Sequence, residues 1–317
     1  MNDFLREIEN ADTIVILGHT RPDGDCVGSC LGVYNYVLDN YPEKQVDIYL
    51  DDFKEEFMFL RGADRILHSK QDKTYDLCLS LDSGDLDRHG EFVSYFHDAK
   101  RTVCIDHHIS NVGFGDVCFV KTECSAAAEA IYMLLEQDKI SQECAECLYL
   151  GIVHDTGVFK YTNTTRQTME IAGMLIEKGA RSPLVIDGTF YKKTFLQNKI
   201  LAKALDSAFL MFDGKVIVSC LTRDVFDEFG ATNLDTEGVV DALRITEGVE
   251  CALWMYEYPK EGTFKCSLRS NELVNVNLIA CSLGGGGHIK AAGCEIEGEK
   301  DTIILKITEM IKEQLGE

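Results

Sequence analysis

The feature that most restricts how this chain can fold is a repeated pairing of an apolar run with a polar tip. TIVILG runs into His19, YDLCLSL into Asp82, and TVCI into Asp106, His107 and His108. Short, mostly apolar runs of this kind, with β-branched residues in TIVILG and TVCI, read as strands buried on both faces. VDIYL and DVCFV supply two more, and helical patterns lie near 24–38, 125–137, 141–153 and 168–177. The alternation predicts a mostly parallel sheet covered by helices. In open parallel sheets ligands bind beyond the carboxyl ends of the strands, so the three polar tips are expected to become neighbours.

From about Asp187 the texture changes. TFYKKTFLQNKILAKAL reads as a connecting helix, followed by strand-like VIVSCLT, CALWMYEY and TFKCSLRS and by helical patterns near 238–245, 274–281 and 301–315. At 317 residues the chain exceeds what one compact core usually holds. The expected organisation is an α/β domain over 1–186, a linker helix over 187–205 and a smaller α/β domain over 206–317.

The polar tips have the composition of a metal site. In GHTRPDGD, Asp23 and Asp25 flank one glycine, and a tight turn can aim them at two different cations, with His19 beside them. The same residues also suit a plain turn and helix cap. Adjacent histidines at a buried strand end, His107 and His108, need partners for their nitrogens. Asp155, in GIVHDTGVF, closes an apolar helix, where a carboxylate opposes the dipole and calls for a cation. His154 beside it reads as packing. Four carboxylates in one cleft resist ionisation, whereas two divalent cations balance about four negative charges. Oxygen and imidazole donors without thiolate point to two Mn(II), with Mg(II) as the alternative.

In the second half, GGGGH (284–288) exposes backbone N–H groups that can approach a phosphate or a base, His288 can donate to an anion, and Arg269 offers a forked donor. A glycine run can equally be a flexible linker. The Ala-Ala-Gly that follows Lys290 reads as a turn. His68, His89 and His97 match no motif and read as ordinary surface or turn histidines.

Composition narrows the partners. A net charge of -22 repels long polyanions and leaves little to gain from counterion release along them. Small nucleotides and short oligonucleotides remain, and a homodimer is left open. Thirteen cysteines scattered singly through apolar segments read as reduced thiols, including Cys144 and Cys147, whose CxxC lies inside a helical pattern with no second pair to face it. No basic leader with an apolar run is present, and no stretch approaches the ~18 apolar residues of a membrane span. The expectation is a cytoplasmic protein without a membrane segment.

GHTRPDGD, LDSGD, DHHISN, HDTGVF and GGGGHIKAAG, in this order and over nearly the whole chain, resemble the DHH phosphoesterase family, more closely its members with a C-terminal DHH-associated domain. The resemblance implies one metal on His19, Asp23 and Asp82 and a second on Asp25, Asp82, His107 and Asp155, bridged by Asp82. It further implies that His108 faces the scissile phosphate, that Asp106 orients a histidine, and that Arg21, Arg269, Gly285, Gly286, Gly287 and His288 hold the substrate. The members it looks most like hydrolyse very short oligoribonucleotides and 3′-phosphoadenosine 5′-phosphate. Phosphodiesterases for cyclic di-AMP or its linear dinucleotide are the alternative, and a nucleotide-binding sensor without catalysis is a third reading.

Overall fold

The structure, a computed structural model, describes residues 2–257 and 259–316. The chain divides into two compact units, 1–192 and 193–317.

In the first unit the strands are β1 (Thr13–Leu17), β2 (Gln45–Tyr49), β3 (Leu77–Leu81), β4 (Arg101–Asp106) and β5 (Val117–Val120). The helices are α1 (Asp3–Asn10), α2 (Gly24–Asn40), α3 (Val93–Asp98), α4 (Ala127–Leu134), α5 (Gln142–Asp155), α6 (Arg166–Glu177) and α7 (Ser182–Ile186). The sheet order is β2-β1-β3-β4-β5 and every pairing is parallel. Side-chain alternation explains why the strands are apolar throughout. Ile14 and Ile16 of β1 enter one core cluster, while Val15 and Leu17 enter the other on the opposite face. The chain runs outward from β1 to β2, then returns to β3 on the other side of β1. The carboxyl ends of β1 and β3 therefore flank the point where strand order reverses, the position at which such sheets open a binding crevice.

The second unit holds α8 (Phe195–Asp206), β6 (Phe209–Met211), β7 (Val216–Leu221), α9 (Arg223–Phe229), α10 (Val239–Arg244), β8 (Cys251–Glu257), β9 (Thr263–Ser270), α11 (Val276–Ser282), β10 (Gly286–His288), β11 (Ala291–Glu297) and α12 (Lys300–Leu315). Its sheet runs β10-β11-β9-β8-β7-β6, antiparallel except for β7 with β8. Period-two alternation again serves two cores: Cys251, Leu253 and Met255 pack with α11 and α12, and Ala252, Trp254 and Tyr256 with α8 and α10.

Two local readings change. The linker segment is not one helix from Asp187: Asp187–Tyr191 forms a wide turn, and α8 begins only at Phe195. There the Thr194 side chain accepts the Gln197 N–H and Gln197 reciprocates, a capping box that fixes the helix start. Ala291-Ala292-Gly293 is not a turn but the start of β11, paired with both β10 and β9. No helix among the described residues is long and apolar enough to cross a membrane, and all thirteen cysteines are free.

Candidate metal centre

His19 sits two residues beyond β1. Its Nδ1 lies 2.9 Å from the Thr20 carbonyl, and since a carbonyl only accepts, Nδ1 carries the hydrogen and the Nε2 lone pair faces outward. That Nε2 stands 3.7 Å from Asp23 Oδ1 and 3.6 Å from Asp82 Oδ2. His107 repeats the design. Its Nδ1 approaches the Cys124 carbonyl at 3.4 Å, and its Nε2 lies 3.1 Å from Asp155 Oδ2, 3.6 Å from Asp82 Oδ1 and 3.8 Å from Asp25 Oδ2. A lone pair aimed at carboxylate oxygens is repulsive unless a proton or a cation stands between them.

The carboxylates are held rigidly. Asp25 is fully buried: Oδ2 accepts the Ala127 N–H at 2.6 Å, and Oδ1 accepts the Ala128 N–H at 3.0 Å and the Ser29 hydroxyl at 3.2 Å. These amides open α4, so a helix N-terminus supports the anion. Asp82 follows β3 with φ 52°, a left-handed conformation that aspartate tolerates better than most residues. Asp155 is the last residue of α5, and His107 lies closest to its carboxylate. The second expected ligand set, Asp25, Asp82, His107 and Asp155, thus gathers around His107 Nε2.

The first set is arranged differently. Asp23 Oδ1 is engaged by the Asp25 and Cys26 N–H groups, both at 3.1 Å, as the N-cap of α2, so the capping role and the approach to His19 are combined in one residue. The buried Cys26 thiol joins His19 and Asp82 in a cluster whose donor atoms lie within 4.8 Å of one another. Its sulfur accepts the His19 N–H at 3.3 Å, and burial pushes the thiol up, so it is a neutral neighbour. The donor set was expected to be free of sulfur, and nothing in GDC separates this cysteine from the other buried thiols.

The electrostatics fit divalent cations. Burial raises Asp25 and Asp82; for both the surrounding carboxylates add to this, and the bond to His19 opposes it at Asp82. Burial disfavours a charged His19, but Asp23 and Asp82 outweigh it and lift the imidazole to about 12. The same contest, with Asp155, Asp25 and Asp82 as partners, brings His107 to about 10. The protein groups alone retain protons where a cation would sit. Asp82 Oδ1 is buried without a hydrogen-bond partner, a costly arrangement for a carboxylate that a cation between it and the imidazoles resolves. The oxygen and imidazole donors therefore fit a divalent metal.

His108 belongs to the same edge. Its Nδ1–H donates to Asp106 Oδ1 at 2.7 Å, while Asp106 Oδ2 accepts from Asn111 Nδ2 at 2.8 Å. The hydrogen bond to Asp106 raises the His108 pKa and outweighs its burial.

With this geometry fixed, two family models match the chain: the DHH family, N-terminal domain, over residues 13–152, and the DHHA1 domain over 213–315. The chain carries a DHH domain and a DHHA1 domain. A bifunctional oligoribonuclease and PAP phosphatase of Bacillus subtilis is 28% identical over 320 residues, 98% of each chain. A probable enzyme of the same name from Streptococcus mutans is 29% identical over 92% of this chain and 91% of that one. The crystal structure of an exopolyphosphatase-related protein from Bacteroides fragilis matches with a TM-score of 0.83 and 26% identity, covering 98% and 94%. A DHH domain implies divalent-metal use, in line with the donor clusters described above.

Arg21, at φ 53°, donates its N–H to Asp51 Oδ2 at 3.3 Å and lines a polar cleft of about 330 Å³ with Asp51, Asp52 and His68. Arg269 lies on β9 with Nε 3.6 Å from Asp241 Oδ1. The glycine run is a strand edge and not a free loop. A Cβ on Gly285 would come 2.1 Å from the Gly293 carbonyl, and one on Gly287 2.5 Å from that of Ala291, whereas Gly286 has open space and His288 is exposed. His154 packs between Phe57 and Phe190 and bonds Thr189, and burial lowers it to about 4.

His89 departs from expectation. It is 1% exposed and not a surface histidine, because the turns over Leu86–Phe92 fold back across the end of β1. No motif marks it in the sequence, and only its position shortly after LDSGD could have drawn notice.

Proposed function

We propose that this chain is a two-metal phosphoesterase that hydrolyses very short oligoribonucleotides to nucleoside monophosphates and 3′-phosphoadenosine 5′-phosphate to AMP and phosphate. The observation that carries the reading is the meeting of two imidazole lone pairs and the unpartnered Asp82 Oδ1 at the strand-order reversal. Full-length relatives named for both activities support the choice of substrate.

His19, Asp23 and Asp82 would hold one cation, and Asp25, Asp82, His107 and Asp155 the other, with Asp82 shared. When bound, such a pair supplies Lewis acidity to a phosphate ester and charge to offset the developing negative oxygens. Mn(II) suits the mixed oxygen and nitrogen donors better than Mg(II). Asp106 holds the His108 Nδ1–H and favours the imidazolium form, whose Nε2–H can donate to a phosphate oxygen. Arg21 would pair with a second phosphate, and Arg269, Gly285, Gly286, Gly287 and His288 would hold the unreacting part of the nucleotide. Thirteen free thiols favour a reducing compartment such as the cytoplasm.

Steady-state rates of the purified protein on 3′-phosphoadenosine 5′-phosphate, RNA dinucleotides, cyclic di-AMP and pyrophosphate, each with Mn(II) or Mg(II), test the reading. The first two substrates should turn over fastest, and faster with Mn(II). Preference for cyclic di-AMP would reassign the chain to the cyclic-dinucleotide phosphodiesterases. Tight nucleotide binding without turnover would make it a sensor.

A further inference from the structure

The geometry points to His89 as a positioning residue that sets the orientation of His19 and Asp82 for cation binding, by tying the end of β1 to the end of β3. His89 Nδ1 lies 2.9 Å from the Gly18 carbonyl, which can only accept, so Nδ1 carries the hydrogen. Its Nε2, 2.8 Å from Ser80 Oγ, must then accept the serine hydroxyl. Gly18 immediately precedes His19, and Ser80 lies two residues before Asp82. One ring thus bonds next to two of the groups that would hold the cations.

The tie continues on the far side of His19. Thr20 N–H donates to the Arg88 carbonyl at 2.6 Å, so residues 88 and 89 grip the backbone on both sides of His19. This matters because the His19 Nδ1–H points at the Thr20 carbonyl. The loop that His89 anchors is the loop that fixes the His19 tautomer and the direction of its Nε2. The ring has little freedom of its own. It is almost fully buried, stacks on Phe96 at 6.4 Å and meets Phe114 edge-on at 6.5 Å. Burial also lowers its pKa, in keeping with a neutral imidazole that donates at one nitrogen and accepts at the other.

Groups that orient metal-binding histidines typically change affinity by about ten- to a hundredfold when removed. The inference rests on the metal-centre reading above, and its test separates the two. Mn(II) binding to the purified protein is measured by titration calorimetry, with thermal melting alongside, for the wild type, H89L, H89Q and S80A. Mn(II) affinity should fall about tenfold or more in H89L and less in S80A. H89Q, which can still donate to Gly18 and accept from Ser80, should recover much of the loss. Affinity in H89L and S80A equal to wild type, with only the melting temperature lowered, would reduce His89 to core packing and overturn the inference. If H89L does not fold, S80A and H89Q still decide it, because both keep the site filled. A wild type that binds no Mn(II) would instead sink the metal-centre reading.

Discussion

Asp82 shows how much of this site rests on one side chain. It is 2% exposed, it lies near the Nε2 atoms of His19 and His107, and its Oδ1 has no hydrogen-bond partner among the described residues. Asp82→Asn should therefore abolish turnover. The same change removes a shared oxygen donor, so Mn(II) should raise the melting temperature of the variant far less than that of wild type. Melting curves with chelator and with Mn(II) check this: stabilisation of Asp82→Asn by Mn(II) as large as in wild type would remove Asp82 from the site. A related prediction concerns pH. His19 and His107 are raised from 6.5 to about 12 and about 10 by carboxylates that outweigh burial, so the folded protein binds more protons than the unfolded chain. That stabilisation is complete below 6.5 and is lost as pH rises through the folded values. A cation displaces the same protons. After chelation the melting temperature should fall between about pH 6.5 and 9, and the rise on adding Mn(II) should grow over the same window. An Mn(II) effect that shrinks with pH would contradict the assignment of these histidines.

At the scale of elements, α2 and α5 are held close enough to bring Asp25 and Asp155 to the same nitrogen, His107 Nε2. The contact runs through glycine: a Cβ on Gly28 would stand 2.4 Å from the Cys147 carbonyl, a backbone atom with no room to yield, and one on Gly151 2.5 Å from Asp25 Oδ1. Gly28→Ala should push the helices apart, costing about 1–3 kcal/mol and weakening Mn(II) binding along with stability. Denaturant melts and Mn(II) titration of this variant test it, and an unchanged titration would show that the spacing is not what sets the site. Such spacing explains what the sequence could and could not disclose. The central strands were legible because short apolar runs between turn signals suit strands buried on both faces, and the polar cluster around Asp82 because each run ends in one of its members. The close approach of Gly28 was not legible, since a glycine in a helical pattern looks the same whether it faces solvent or a carbonyl. β10 and β11 were hidden because glycine and alanine carry no strand preference, and GGGGHIKAAG reads as loop and turn until Gly293 is seen opposite Gly286. Cys26 and His89 were hidden for another reason: their contacts, from the first turn of α2 and the turns over Leu86–Phe92 to the end of β1, exist only once the chain is folded.

Across the whole molecule, the separate cores imply separable tasks. The cluster around β1 and α2 lies wholly within 1–192, and the clusters around β8 lie wholly within 193–317. Every residue assigned here to the cations belongs to the first unit. Residues 1–192 expressed alone should therefore melt cooperatively and bind Mn(II) with nearly the full-length affinity, while turnover of 3′-phosphoadenosine 5′-phosphate collapses for want of the proposed nucleotide-holding residues. Full turnover by the isolated unit would remove Arg269 and the 285–288 segment from the substrate site. The charge of -22 bears on the substrate in the opposite sense. A phosphodiester at the proposed metal centre would meet offsetting cations, but each further nucleotide adds a phosphate that the net negative charge of the chain repels. Rates on RNA should thus fall with length beyond the shortest oligomers. Salt separates this cause from a purely steric limit: screening over about 10 Å at 0.1 M should relieve the penalty on longer substrates more than on dinucleotides. A length profile that does not move with ionic strength would leave shape, and not charge, as what limits substrate size.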